Sequence, residues 1–285
     1  MTASKARAAA VFDPVQAGRR FVAARLARTR MADFPGPIPP DMAAGYACQE
    51  AAIKLWPDEI AGWKVGRIPT ELQAALGAER VMGPVFRANI WAASDRPTVL
   101  PVIAGGFAAV EAEYVYRMGE DAAPGRTDWT PAEALRLVED ELVGVELAGS
   151  PLASINQLGP RVVACDFGNN SGLILGKSIP DWRNRTDDWP PCETYVAGEL
   201  VGRGAPSSIP GGPAASLAFL MNACAARGRP LRRGQLVTTG AASGIHDIEA
   251  GQPARITFGD LDEIRCIAEV AAEGLGGRSD DHLSG

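Results

Sequence analysis

Histidine is nearly absent from this chain. His246 and His282 are the two it has among 285 residues, and the second lies in a polar tail. A histidine metal site or a Ser-His-Asp triad therefore has very little to draw on. Cysteine is scarce as well. Cys48, Cys165, Cys192, Cys224 and Cys266 are odd in number, widely spaced and without a C-x-x-C pair. That excludes a disulfide or zinc framework and fits reduced thiols in a cytoplasmic protein. No apolar run is long enough to span a bilayer, and Met1 to Ala10 lacks a hydrophobic signal core, so no membrane association is expected. A net charge of −6 without a dense Lys/Arg block gives no reason to expect nucleic acid as a partner. Internal repeats and low-complexity segments are missing too. What is present, 46% hydrophobic and 22% charged residues, supplies ample core for one large domain, or for a small one fused to a larger one.

The chain changes texture along its length. Val15, Phe21, Val22 and Leu26 mark an amphipathic helix over Pro14–Thr29. The stiff connector Phe34-Pro35-Gly36-Pro37-Ile38-Pro39-Pro40 follows, and Asp41 can cap a second helix from Met42 to Leu55. From Gly62 onward short β-like runs dominate: Trp63–Val65, Val99–Ile103, Ala108–Arg117, Gly144–Leu147, Arg161–Phe167, Leu173–Leu175, Glu193–Val201, Leu236–Thr239, Ala254–Phe258 and Glu263–Val270. Helices over Pro131–Leu142, opened by Thr130, and Pro213–Arg227 interrupt them, each with proline in its first turn. The expectation is an α+β fold with a strand-rich body. Its segments are an N-terminal helical segment over 1–75, a β-rich catalytic domain over 76–273 and a flexible tail over 274–285.

The segment Val110-Glu111-Ala112-Glu113-Tyr114 carries the chemistry. Alternation puts Glu111 and Glu113 on one face of a strand, inside an otherwise apolar run. Two adjacent like charges there are costly unless a cation lies between them. Glu146, in Gly144-Val145-Glu146-Leu147, can complete a set of three carboxylates, a donor set suited to Mg²⁺ or Mn²⁺ rather than Zn²⁺. A strand with a solvated glutamate face explains the same spacing.

An ordered series of motifs then points to a family. Gly62-Trp63-Lys64-Val65-Gly66, Glu111-Ala112-Glu113, Val145-Glu146-Leu147, Asp166-Phe167-Gly168-Asn169-Asn170-Ser171-Gly172, Leu175-Gly176 and Thr239-Gly240 together resemble the 2-keto-4-pentenoate hydratase branch of the fumarylacetoacetate hydrolase superfamily. The resemblance runs from about residue 15 to residue 270. It implies a mixed β-roll body, a homo-oligomer, and a divalent metal on Glu111, Glu113 and Glu146. It also implies catalytic roles for Lys64 and Asp166, and a substrate pocket drawn from Phe86, Arg87, Asn170, Ser171, Lys177, Thr239 and Ser243. The implied reaction adds water to a small 2-hydroxy-2,4-dienoate, giving a 4-hydroxy-2-oxo acid in the catabolism of aromatic compounds. A decarboxylase, tautomerase or C–C hydrolase on a related 2-oxo acid, or a non-catalytic 2-oxo acid binder, are the alternatives.

The match frays at one point. Hydratases of this type carry a P-D-[FY]-G-like element after the lysine motif. Here the matching stretch reads Gly83-Pro84-Val85-Phe86-Arg87, so Val85 stands at the carboxylate's place. Arg87 is an added cation that could meet a second substrate carboxylate. In the later motif Phe167 follows Asp166 where asparagine is usual. His246, in the Gly-rich loop after Thr239, is a further candidate.

Overall fold

The computed structural model describes residues 11–186 and 188–272. The expected tail at 274–285 lies outside them. Two capped helices open the chain. In α1 (Pro14–Ala27) the Asp13 carboxylate accepts from the Val15 and Gln16 amides, and Arg28 in the left-handed region (φ 56°) stops the helix. In α2 (Met42–Leu55) Asp41 accepts from the Ala44 amide. The two helices touch at Gly18, where a Cβ would stand 2.9 Å from the Cys48 carbonyl oxygen.

Next come β1 (Ile60–Arg67), α3 (Thr70–Leu76), β2 (Arg80–Phe86), β3 (Ile90–Ala92), β4 (Thr98–Val102) and the long strand β5 (Phe107–Met118). After α4 (Pro131–Arg136) the chain forms β6 (Val138–Ser150), α5 (Ile155–Leu158), α6 (Pro160–Cys165) and β7 (Asn170–Ser178). The remainder is β8 (Cys192–Val196), β9 (Glu199–Gly204), α7 (Gly212–Ala226), β10 (Leu236–Thr238), β11 (His246–Asp247), β12 (Pro253–Phe258) and β13 (Asp262–Val270).

These strands form two mixed sheets. The larger runs β2-β1-β10-β5-β6-β7-β3, with β11 added to β5; the smaller runs β4-β13-β12-β8-β9. The larger sheet curls until β2 approaches β7, and its two surfaces have different fates. On one, Trp63, Val65, Met82 and Val237 pack against helical residues such as Phe21, Val162 and Leu220, while Val110, Tyr114, Val145 and Leu147 pack against Ile256, Phe258 and Ile264 of the smaller sheet. Full burial of each such side chain contributes roughly 1.5–3 kcal/mol. On the other, inside the curl, lie a small apolar cluster (Val85, Val115, Leu142, Leu173, Leu236) and the charged residues of the next subsection. The α+β, strand-rich architecture with N-terminal helices is the one expected. β1, on the N-terminal side of the boundary at residue 75, is a strand of the larger sheet.

Local readings differ in three places. Arg161–Phe167 was expected to be a strand, but Gly159 (φ 90°) and Pro160 start α6. Burial of Val162 and Val163 in the helical core overrides their β-branched preference. The helix expected over Pro131–Leu142 ends at Arg136, because β6 pairs with β5 from Val138 onward. Glu193–Val201 is a hairpin, its turn made by Ala197 (φ 50°) and Gly198 (φ 87°).

Candidate metal centre

Three strands of the larger sheet, two of them adjacent and the third set off by β10, place four charged side chains inside the curl. β5 carries Glu111 and Glu113, β6 carries Glu146 directly opposite Glu111, and β1 carries Lys64, paired with Thr238 of β10. All four are buried, Glu113 and Glu146 completely. One oxygen from each glutamate lies within 4.8 Å of the other two.

The surroundings hold some of these oxygens and leave others free. Glu146 Oε1 accepts from the Asn170 amide at 3.0 Å and lies 3.4 Å from Lys64 Nζ; its Oε2 accepts from the Thr238 hydroxyl at 3.3 Å. Glu113 Oε2 accepts from the backbone amides of Thr239 (2.9 Å) and Gly240 (2.7 Å), the latter at a φ of 122° that suits glycine alone. Lys64 Nζ donates to Asn169 Oδ1 at 3.0 Å. Glu111 Oε1 and Glu113 Oε1, both buried, have no hydrogen-bond partner. An orphaned carboxylate oxygen is among the most costly groups a protein interior can hold.

Electrostatics follow. Burial pushes the Glu111 carboxyl up to about 8; Lys64 pulls it down and Glu146 pushes it up. Burial, Glu146 and Glu111 drive Glu113 well above the usual carboxylate range. Burial depresses Lys64, but Glu146, Glu111 and Glu113 outweigh it and the net shift is upward. Three carboxylates against one ammonium leave a deficit of positive charge. A divalent cation with oxygen ligands would occupy the free oxygens and remove that deficit, so the donor set fits Mg²⁺ or Mn²⁺.

A cavity of about 540 Å³ opens on this cluster. Lys64, Glu111, Asn169 and Thr239 form its inner end. Asn169 and its partner Asn156 (Nδ2 to Oδ1, 3.1 Å) were missed by the sequence reading. Asn156 sits on α5, and Asn169 is placed by consecutive left-handed residues, Phe167, Gly168 and Asn169 (φ 55°, 63° and 57°), whose backbone passes over Gly83, where any Cβ would overlap the Phe167 carbonyl. Nothing in local periodicity announces such a turn.

The other expected site residues divide. Asn170, expected at the substrate, donates to Glu146, and Thr239 lines the cavity. Ser243 bonds the Thr194 hydroxyl at 2.7 Å, behind the loop that lines the cavity. Asp166 is not in the cavity: its carboxylate accepts from Arg25 Nε and from the Ser150 hydroxyl (2.6 Å), a buried tether to α1. Ser171 accepts from the same Arg25, at 3.0 Å. Phe86 packs in an aromatic triangle with Trp56 and Phe167, tilted on the first and edge-on to the second at ring distances of 5.3 and 5.0 Å. Arg87 is an exposed partner of Glu59, and Lys177 an exposed partner of Asp262. His246 Nε2 meets the Ser243 carbonyl at 2.9 Å, a loop contact. Val85 lies in the apolar cluster, and on that face of β2 the side chain that lines the cavity is Val81. Setting the glycine of the P-D-[FY]-G pattern on Gly83 puts Val81 at the carboxylate's place, so the wall is apolar under either alignment.

Fold and site together define a class. Over 91% of this chain and 99% of theirs, the structure superposes on 4-oxalocrotonate decarboxylase from Pseudomonas putida G7, complexed with magnesium and adipate, at a TM-score of 0.75 and 18% identity. Fumarylpyruvate hydrolase from Pseudomonas aeruginosa, in complex with Mn²⁺ and pyruvate, matches over 73% of this chain and 88% of its own at a TM-score of 0.55, also at 18% identity. The fold is thus that of the fumarylacetoacetate hydrolase superfamily. In sequence the chain is 26% identical, over 235 residues, to 2-keto-4-pentenoate hydratase 2 of Dechloromonas aromatica (strain RCB), covering 80% of this chain and 86% of that one. Hydratase 1 of the same organism matches at 25% over the same shares. No family model matches the chain. The resemblance to the 2-keto-4-pentenoate hydratase branch thus holds in sequence, the fold is that of the wider superfamily, and the relatives are enzymes of small organic acids.

Proposed function

We propose that this protein is a divalent-metal-dependent hydro-lyase that adds water to a 2-hydroxy-2,4-dienoate of the 2-keto-4-pentenoate type, as in the breakdown of aromatic compounds. The carrying observation is the pair of buried oxygens, Glu111 Oε1 and Glu113 Oε1, that have no hydrogen-bond partner among the described residues, in a triad of which Glu111 lines the cavity. Glu111, Glu113 and Glu146 would hold Mg²⁺ or Mn²⁺. When bound, the cation supplies Lewis-acid stabilisation of negative charge on the substrate's C1 carboxylate and 2-oxygen. Glu146 is oriented by Asn170 and Thr238, and Glu113 by the Thr239 and Gly240 amides, so the ligands are fixed before substrate arrives. Lys64 has three N–H donors, of which Asn169 and Glu146 engage two; the third is available to a substrate oxygen or to a proton in transit. The homo-oligomeric state implied by the resemblance belongs to this reading, and sedimentation of the metal-loaded protein checks it.

A second reading, decarboxylation of a related 2-oxo acid, is favoured by Val81. An apolar wall disfavours a step that needs a base for water, whereas enolate stabilisation alone suffices for decarboxylation. The test is to follow the ultraviolet absorbance of 2-hydroxypenta-2,4-dienoate with Mg²⁺ or Mn²⁺ and identify the product by NMR. Formation of 4-hydroxy-2-oxopentanoate supports hydration. If only Val81→Asp forms it, the natural reaction is the second one; if neither protein consumes the dienol with either metal, hydration is lost as a reading.

A further inference from the structure

The cavity that takes in Lys64 and Glu111 is also lined by a pair of arginines. Arg67, the last residue of β1, and Arg80, the first of β2, are direct cross-strand partners, and both line the cavity. Like charges opposed across a ladder repel unless an anion lies between them. The protein itself does little to neutralise this pair. Arg80 donates to the Pro210 carbonyl at 2.6 Å and lies over the Phe219 ring; its carboxylate neighbour, Glu79 at 3.5 Å, points into solvent. Arg67 donates to the Thr70 hydroxyl at 2.8 Å and has no ion pair among the described residues. Burial and the charge on Arg67 both lower the pKa of Arg80, against the pull of Glu79.

A second observation comes from α7. Ser216, one turn before Phe219, forms part of the same cavity wall and is almost fully buried, and its Oγ has no hydrogen-bond partner. An orphaned donor beside two cations asks for an acceptor oxygen.

We propose that Arg67, Arg80 and Ser216 form an anion subsite for the distal carboxylate of a dicarboxylic 2-oxo acid, and so determine the substrate specificity of the site. The inference rests on the proposed binding of a 2-oxo acid at the glutamate end. It gives Arg67 and Arg80 the task that the sequence had suggested for Arg87, which faces solvent. Guanidinium groups match a carboxylate through paired N–H donors, whereas an alkyl end would leave both arginines and the serine unsatisfied.

Two ligands of equal chain length isolate the effect. 2-Oxoadipate and 2-oxohexanoate share the 2-oxo acid head and differ in the distal carboxylate. Isothermal titration of each into the Mn²⁺-loaded protein should show 2-oxoadipate binding about tenfold or more tightly. Arg80→Gln and Arg67→Gln should each bring that ratio toward one while leaving 2-oxohexanoate affinity within about twofold, and Arg80→Lys should keep part of the preference. Equal affinity of the two acids for the wild type would overturn the subsite, as would variants that weaken both acids alike. If neither acid binds, the reading of the glutamate end fails first, a result distinct from equal binding.

Discussion

Asp166 and Glu113 are both fully buried carboxylates, and the protein treats them in opposite ways. Asp166 meets Arg25 with one oxygen and the Ser150 hydroxyl with the other, and Arg25 goes on to bind Ser171 and the Gly149 carbonyl. Glu141 is similar, held by Arg185 through both oxygens. Glu113 and Glu111 each keep an oxygen with no partner, next to a third carboxylate. Where a charge serves the fold, the chain supplies its counter-charge. At the triad it supplies one lysine for three glutamates, and the remainder must come from outside.

The contrast can be broken from either side. Asp166→Ala should cost about 3–5 kcal/mol of stability, because it strands a buried Arg25, while Mn²⁺ affinity of the folded protein stays within a few-fold. Calorimetry of unfolding and a metal titration check both halves. A large loss of metal affinity at unchanged stability would return Asp166 to the active site.

Glu113→Gln should do the reverse. Loss of a partner that merely orients a ligand costs about 10–100-fold, so loss of a ligand should exceed 100-fold in metal-dependent turnover. The melting temperature of the metal-free protein should rise, since the Glu113 carboxyl must take up a proton to be buried there and an amide need not. A drop in that temperature would mean that Glu113 serves the fold as Asp166 does. Lys64→Ala should lower turnover by about 100-fold if the ammonium donates to substrate or moves a proton, and near wild-type rates would reduce Lys64 to a counter-charge.

The smallest effect is on pH dependence. Glu111 has an ordinary value of 4.5 and is raised to about 8, chiefly by burial. Between those values the folded metal-free protein keeps a proton that the unfolded chain has released. Its stability should therefore fall as pH rises through that window. A saturating divalent ion should flatten the slope, since bound cation replaces the proton. Thermal unfolding from about pH 5 to pH 8, with and without Mn²⁺, measures it; parallel curves would contradict the account.

What the sequence made legible was whatever depends on near neighbours. Val15, Phe21, Val22 and Leu26 announce α1 and Asp41 announces α2, because helical spacing and caps act within a turn or two. Glu111 and Glu113 announce a shared face because alternation is local. The role of Asp166 was not legible, since Arg25 stands 141 residues away in sequence. Asn169 was passed over for its neighbours because three left-handed residues in a row leave no periodic trace. Arg67 and Arg80 come together only through the β1–β2 pairing, and neither β2 nor α3 was read from the sequence. Val85 was singled out in place of Val81 because a four-residue shift along one strand face keeps the same alternation.

The central claim is that the unpartnered glutamate oxygens exist for one divalent cation. Titrating Mn²⁺ into the metal-free protein, with calorimetry for affinity and electron paramagnetic resonance for the bound fraction, tests it most directly. The account predicts one Mn²⁺ per chain, competed by Mg²⁺ and abolished in Glu111→Gln/Glu113→Gln. Absence of saturable binding, or binding that survives in the double variant, would contradict it.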